Sequence, residues 1–164
     1  LCIMRSGQMV QVGTPWEIYK KPADHFVASF VGNMNFFPWP FAGLDFHDLK
    51  VPTVIEDLPA KTNLGNESEK FIVGIRPEDV LISNSTAKVK SQVIHLKGTI
   101  KNISFSGREA QIHVKLIDGN QLVAHITRPG ERLLDEIGKT VQLELSHKSI
   151  MFFNNKSGLR RLIL

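Results

Sequence analysis

The chain has 164 residues, 42% of them hydrophobic and 22% charged, with a formal net charge of +4. That is enough apolar material for one packed domain plus an appendage, in a composition ordinary for a soluble globular protein. A single cysteine, Cys2, excludes an intramolecular disulfide framework and a multi-cysteine zinc site, and fits a reducing compartment. No apolar run approaches the roughly 20 residues that a membrane-crossing helix needs.

Charge is uneven along the chain. Residues 1–82 carry seven basic and ten acidic side chains (net −3), whereas residues 83–164 carry thirteen and six (net +7). Because the basic residues alternate with apolar ones and never form long runs, they read as the solvated faces of strands. The chain opens on Leu1 without a signal-peptide layout and is expected to come from the middle of a longer gene product.

Residues 1–12 read as two short strands, LCIM and MVQV, around the turn Arg5-Ser6-Gly7-Gln8. A helix start follows: Thr14 as cap, Pro15 at the first helical position, and Glu17 three residues after Thr14 to close a capping box. Pro22 ends this helix and is expected to open a second one, with Phe26, Val27, Phe30 and Val31 on one face and a left-handed stop at Gly32-Asn33. Beyond residue 34 the helical period disappears. NFFPWPFAG, interrupted by two prolines, suits an edge strand or an extended packing segment.

Residues 56–70 form a polar loop. Phe71, Val73 and Ile75 then alternate with Ile72, Gly74 and Arg76, RPED turns the chain, and Val80 and Ile82 continue extended. After a second polar loop at 83–88, HLKGTIKNISFSG alternates and slips at Asn102-Ile103, the mark of a bulge. AQIHVKLIDGNQLVAHI is a hairpin turning at Asp118-Gly119. TRPGERLLDEIGK is a loop with at most one helical turn; Val141, Leu143 and Leu145 alternate, and SIMFF and LRRLIL follow. Many short strands separated by turns predict a mainly β fold, a closed or nearly closed small barrel.

No constellation in this order carries catalytic chemistry. Phosphate-binding and dinucleotide-binding glycine patterns are absent from the sequence, and its six histidines show no metal-ligand spacing. His113 and His125 flank the Asp118-Gly119 turn and are expected to form a solvent-side cross-strand pair rather than a metal site. Cys2 is expected to be a buried strand cysteine, and Glu78-Asp79 are expected to be turn formers.

SGQMVQVGTPWEIYKKPADHFVASFVGNMNFF resembles the passage leaving the nucleotide-binding domain in ATP-binding subunits of bacterial ABC importers of the maltose, polyamine and phosphonate type. The matching positions are Gly13 to Tyr19 with Pro22, then Phe26 to Gly32, then Asn33 or Asn35. VGIRPEDV, residues 73–80, is similar to the signature of their appended transport-associated OB-fold (TOBE) domain, and GTIKNISFSGREAQIHVKLIDGNQL looks like that domain's central strands. The departures come late. His147-Lys148 stand where the family tends to have Pro-Glu, and MFFNNKSG replaces a Leu-Phe-Asp-x-x-Thr-Gly pattern, which bears on partner contacts at this end rather than on the fold.

The resemblance implies an OB-like TOBE barrel over 34–164, preceded by the tail of a nucleotide-binding domain over 1–33: a remnant hairpin and two linker helices. It implies a non-catalytic regulatory and dimerisation module, with no cofactor of its own. ATP and magnesium would belong to the full-length parent, which would work with permease subunits on the cytoplasmic face of the membrane. Phe36, Phe37, Trp39 and Phe41 are the candidate dimer-interface residues, with core packing the equal alternative for this stretch, and a cytoplasmic regulatory protein is a further partner the family allows. Deprived of the ATPase sheet, the hairpin of residues 1–12 is expected to be poorly ordered or to pair with another copy. Two other readings stand beside this one. A small-ligand sensor would use Lys97, Lys101, Arg108 and Arg128 to hold an oxyanion or solute. A nucleic-acid-binding OB fold would need strand-borne aromatics that the chain largely lacks.

Overall fold

The computed structural model describes residues 1–38, 71–83, 93–154 and 161–163. Within them the chain is mainly β, and its elements fall into two compact units. The first holds residues 1–38, 71–74, 150–154 and 161–163; the second holds 75–83 and 93–149. A cut after residue 33 does not mark this division, because strands from the far end of the chain join the first unit.

The first unit begins with a hairpin, β1 (Cys2–Arg5) and β2 (Gln8–Val12). Ser6 and Gly7 supply the two positive φ angles, 51° and 79°, that let a two-residue turn follow the twist of the strands. Helix α1 (Pro15–Lys20) starts as its sequence requires. The Thr14 hydroxyl accepts from Glu17 N at 3.2 Å, and the Glu17 carboxylate accepts from Thr14 N at 2.8 Å. Those bonds, first to the Thr14 N–H and then to its hydroxyl, hold the Glu17 carboxyl below the ordinary glutamate range.

Helix α2 (His25–Phe30) starts later than a Pro22 opening would place it. Its cap is Asp24, 2% exposed, whose Oδ1 accepts from Val27 N at 2.8 Å. The apolar face also shifts: Val27 and Ala28 are buried, whereas Phe30 is 66% exposed. Gly32 and Asn33 are not in the left-handed region, and the helix ends instead on Val31 at φ −90°.

The hairpin, expected to be poorly ordered or to pair with another copy, packs on the two helices while its sheet holds only β1 and β2 among the described strands. Ile3 is buried against Ile18 and Val27, with Val10, Phe26 and Val31 closing the cluster. Polar contacts fasten it further. Gln11 donates to Lys21 O at 2.8 Å and accepts from Ala23 N at 2.7 Å, while Arg5 lies 3.4 Å from Asp24 and over the Phe26 ring. Cys2, expected to be buried, is exposed, because strand alternation turns it away from Ile3.

A four-stranded sheet completes the first unit, in the order β11 (Arg161–Ile163), β10 (Ile150–Asn154), β4 (Phe71–Ile75), β3 (Asn35–Pro38). Ala28, Met151 and Phe153 form its core with Met34, Phe36 and Ile72. Gly74 is buried, and a Cβ on it would lie 2.6 Å from Met34 Sδ and 2.7 Å from Phe153.

The second unit is one antiparallel sheet, ordered β5 (Val80–Ser83), β9 (Thr140–Ser146), β6 (Val93–Ser106), β7 (Glu109–Leu116), β8 (Gln121–Thr127). It curls until its edge strands β5 and β8 approach within 8 Å between Cα atoms, which leaves a nearly closed small barrel of the OB-like kind expected. One residue in two faces inward: Ile94, Leu96, Gly98 and Ile100 on β6; Ile112, Val114 and Leu116 on β7; Val141, Leu143 and Leu145 on β9. Each fully buried aliphatic side chain of this set contributes about 1.5–3 kcal/mol. The bulge in β6 falls between Ile100 and Asn102, one residue before the slip read from the sequence. It makes Lys101 the extra residue, after which Ile103 returns inward. Arg76 is 1% exposed, just before the 3-10 turn Pro77–Asp79.

Candidate functional site

The strand register decides which of the candidate residues meet. Lys97 and Lys101 both project outward from β6, Lys97 opposite Gln142 of β9 and Lys101 on the bulge. Arg108 lies in the turn between β6 and β7, and Arg128 directly follows β8. The β7–β8 ladder continues one step past Glu109 and Thr127, so Arg128 N donates to Arg108 O at 2.8 Å. Arg128 holds a left-handed φ of 56° there. The two arginines are therefore neighbours, but Lys101 lies about 20 Å of strand away from them. The four cations do not converge on one site.

Beside the arginines, His125 Nε2 lies 3.2 Å from Glu109 Oε2. His113 is opposite Val123 and His125 opposite Gln111, so the two histidines are diagonal neighbours and do not face each other. Among the described residues no group of three or more His, Cys, Asp or Glu side chains could hold a metal ion. Elsewhere on the same outward face the Gln142 amide donates to His95 Nδ1 at 2.8 Å, tying β9 to β6. Burial lowers the His147 pKa below its ordinary value of 6.5.

Of the aromatic candidates, Phe36 packs within the first unit and Phe37 is buried. Phe37 is 2% exposed, and Phe36 stacks edge-on against Phe153 and His25, with ring centroids 6.1 and 6.4 Å apart. Trp39 and Phe41 lie outside the described residues. The exposed apolar side chains of this unit are elsewhere: Trp16, Phe30 and Leu1 line one open hollow with Tyr19 and Val31.

Residues 73–153 match the model of the TOBE domain family. The chain carries a TOBE domain. The match starts at the VGIRPEDV stretch and ends within β10, so this TOBE domain takes in all of the curled sheet. A spermidine/putrescine import ATP-binding protein of Mesorhizobium japonicum is 35% identical over 126 residues, covering 73% of this chain and 31% of that protein. A maltose/maltodextrin import ATP-binding protein of Yersinia pestis is 27% identical over 168 residues, covering 99% of this chain and 43% of that protein. The chain thus spans less than half the length of these relatives. A structure of the cytoplasmic molybdate-binding protein ModG with molybdate bound aligns at a TM-score of 0.45 and 15% identity, over 51% of this chain and 61% of that one.

Sequence reasoning missed three residues that the register sets around Lys101. Thr99 of β6 stands between Lys115 of β7 and Thr140 of β9. Only the pairing of three strands brings them together. The readable signal was Lys115, on the outward side of a hairpin whose inward side was plain.

Proposed function

We propose that this chain is the non-catalytic regulatory and dimerisation part of an ABC importer's ATP-binding subunit. One observation supports it above the rest. Import ATP-binding proteins align along as much as 99% of the chain, yet the aligned part is under half of each, and it contains the TOBE domain. In this reading ATP and magnesium are handled by the remainder of the subunit, which engages membrane permease subunits at the cytoplasmic face. The barrel tethers two such subunits while their ATP-binding parts open and close. A self-complementary interface of roughly 1,200–2,000 Å² in total suffices for that tether.

A nucleic-acid role finds little support. Stacking needs exposed aromatic side chains, and on the described barrel Phe105, 50% exposed, is the one large aromatic that qualifies. Sedimentation velocity over a rising protein concentration, with an ATP hydrolysis assay on the same preparation, tests the proposal. It requires a concentration-dependent shift from monomer to dimer and no ATP turnover. A chain that stays monomeric at millimolar concentration, or one that hydrolyses ATP unaided, overturns it.

A further inference from the structure

At one end of the curled sheet the inward face runs out past the core, and two arginines stand where it ends. Strand pairing puts Ile103, Ile112 and Ala124 in one row across β6, β7 and β8, all three buried. The next row on the same face is Phe105, Ala110 and Ile126, and there the cover stops: Ala110 is buried, Ile126 is half-buried and Phe105 is 50% exposed. Two residues beyond Ala110 and Ile126 come Arg108 and Arg128, both exposed. We propose that this end of the barrel docks an acidic segment of another protein, one that sets an apolar side chain on Phe105 and Ile126 between carboxylates held by Arg108 and Arg128.

Scattered apolar residues and surface arginines are ordinary, and three observations separate this place from that. The first is the face. Phe105 belongs to the inward series of the sheet, the side that elsewhere carries the core, and its row neighbours Ala110 and Ile126 are apolar. The apolar surface is therefore continuous with the barrel interior rather than isolated among solvated side chains. The second is backbone strain. The Arg128 N–H donates to Arg108 O at 2.8 Å, and Arg128 keeps a φ of 56°, in the left-handed region that is costly for any residue with a Cβ. Pro129 follows, and a residue before proline favours extended backbone. A glycine would relieve that strain, yet the position carries a long cation beside a second guanidinium-bearing residue. Strained backbone of this kind gathers at ligand clamps.

The third is charge. Arg108 and Arg128 make no ion pair with a described residue, and the neighbouring Glu109 carboxylate lies 3.2 Å from His125 Nε2 instead. The half of the chain that builds the barrel adds to the field, with thirteen basic and six acidic side chains over residues 83–164. Each guanidinium can grip a carboxylate through two parallel N–H bonds. Two of them beside an apolar row complement a segment that carries carboxylates on both sides of an apolar residue. A small free anion would leave the Phe105 ring and Ile126 unused. A nucleic-acid strand needs a series of stacking rings, and Phe105 is the one exposed large aromatic on the described barrel.

The test titrates the full 164-residue chain with the end-blocked peptide Glu-Glu-Phe-Glu-Glu, followed through backbone amide NMR resonances. Separate arms at one ionic strength use Glu-Glu-Ser-Glu-Glu, Lys-Lys-Phe-Lys-Lys and single-stranded oligothymidylate. Saturable shifts with the first peptide should centre on Phe105, Arg108, Ile126 and Arg128, at an affinity on the order of millimolar because the surface is exposed. The serine peptide should bind about fivefold more weakly, and the lysine peptide should not saturate. Phe105→Ser and Arg108→Gln should each weaken binding about fivefold, whereas Lys148→Gln, which removes a charge elsewhere, should leave it within about twofold. Arg128→Gly separates recognition from scaffolding: it should weaken binding about fivefold yet leave the urea midpoint no lower than the parent's, since the left-handed strain goes with the side chain. Amide spectra of the variants verify folding; if Phe105→Ser fails to fold, Arg108→Gln and Arg128→Gly decide. Equal binding of the two glutamate peptides, tighter binding of oligothymidylate, an equal loss in Lys148→Gln, or shifts centred away from this end of the barrel overturn the proposal. Because a monomer can bind the peptide, the result does not depend on whether the chain dimerises.

Discussion

Substituting three glycines of the TOBE domain by alanine should give three different outcomes, each set by the space around one atom. Gly98 occupies an inward position of β6, opposite Leu116. A Cβ built there lies 2.5 Å from Val114 Cγ1 and 2.8 Å from the backbone oxygen of Lys115. The oxygen belongs to the paired strand and cannot rotate away, so β6 and β7 have to separate. Overpacking of this kind costs about 1–3 kcal/mol. Loss of glycine's freedom in the unfolded chain offsets about 0.4–1 kcal/mol of it, leaving Gly98→Ala destabilised by about 1–2 kcal/mol. Gly107→Ala meets nothing within 4 Å, but its φ of +64° strains an alanine, at a cost of about 1 kcal/mol. Gly130→Ala has neither clash nor positive φ, so it should be neutral or more stable by up to about 1 kcal/mol. Urea unfolding followed by far-ultraviolet circular dichroism ranks the three by midpoint, at unchanged slope. A Gly98→Ala midpoint at or above that of the parent chain would refute the argument, because the β6–β7 contact would then be looser than the structure has it.

Other consequences follow from the caps and titratable groups. Asp24→Ala removes a buried cap from Val27 N and the partner of Arg5, and should cost about 1–3 kcal/mol in the same urea assay. Asp24→Asn keeps the cap and should recover more than half of that loss. His147 has a folded pKa below its unfolded value of 6.5, so the unfolded chain binds the extra proton first. The stability tied to this neutral ring is complete above about pH 6.5 and is lost as pH falls from there toward the folded pKa. Stability measured across pH 5 to 8 should show this slope, and His147→Gln should flatten it.

Local rules legible in the residues carried much of the fold. The Thr14-Pro15-Glu17 box, the Ser6-Gly7 turn and the alternation around Ile112, Val114 and Leu116 all appear where short-range chemistry demands them. Capping and pleating involve atoms within a few residues of each other, so no distant partner can overrule them cheaply. Elsewhere the structure overruled them. The second helix opens at Asp24 rather than at Pro22, and the Asp24 carboxylate also meets Arg5 from the hairpin.

What the chain could not announce by itself is everything that depends on a second strand. The burial of Gly74 and Arg76 depends on the elements that cover them, and Phe37, a candidate interface residue, is itself buried. A surface cavity beside Lys101 exists because β6 has one neighbour on each side, with Thr99 at the crossing of both registers. The amino-acid sequence by itself determined the hairpins, the caps, the alternation and the TOBE signature, since each is written in a few adjacent residues. Only the tertiary structure decided which faces are buried and which donors converge, because those facts rest on pairings between strands tens of residues apart.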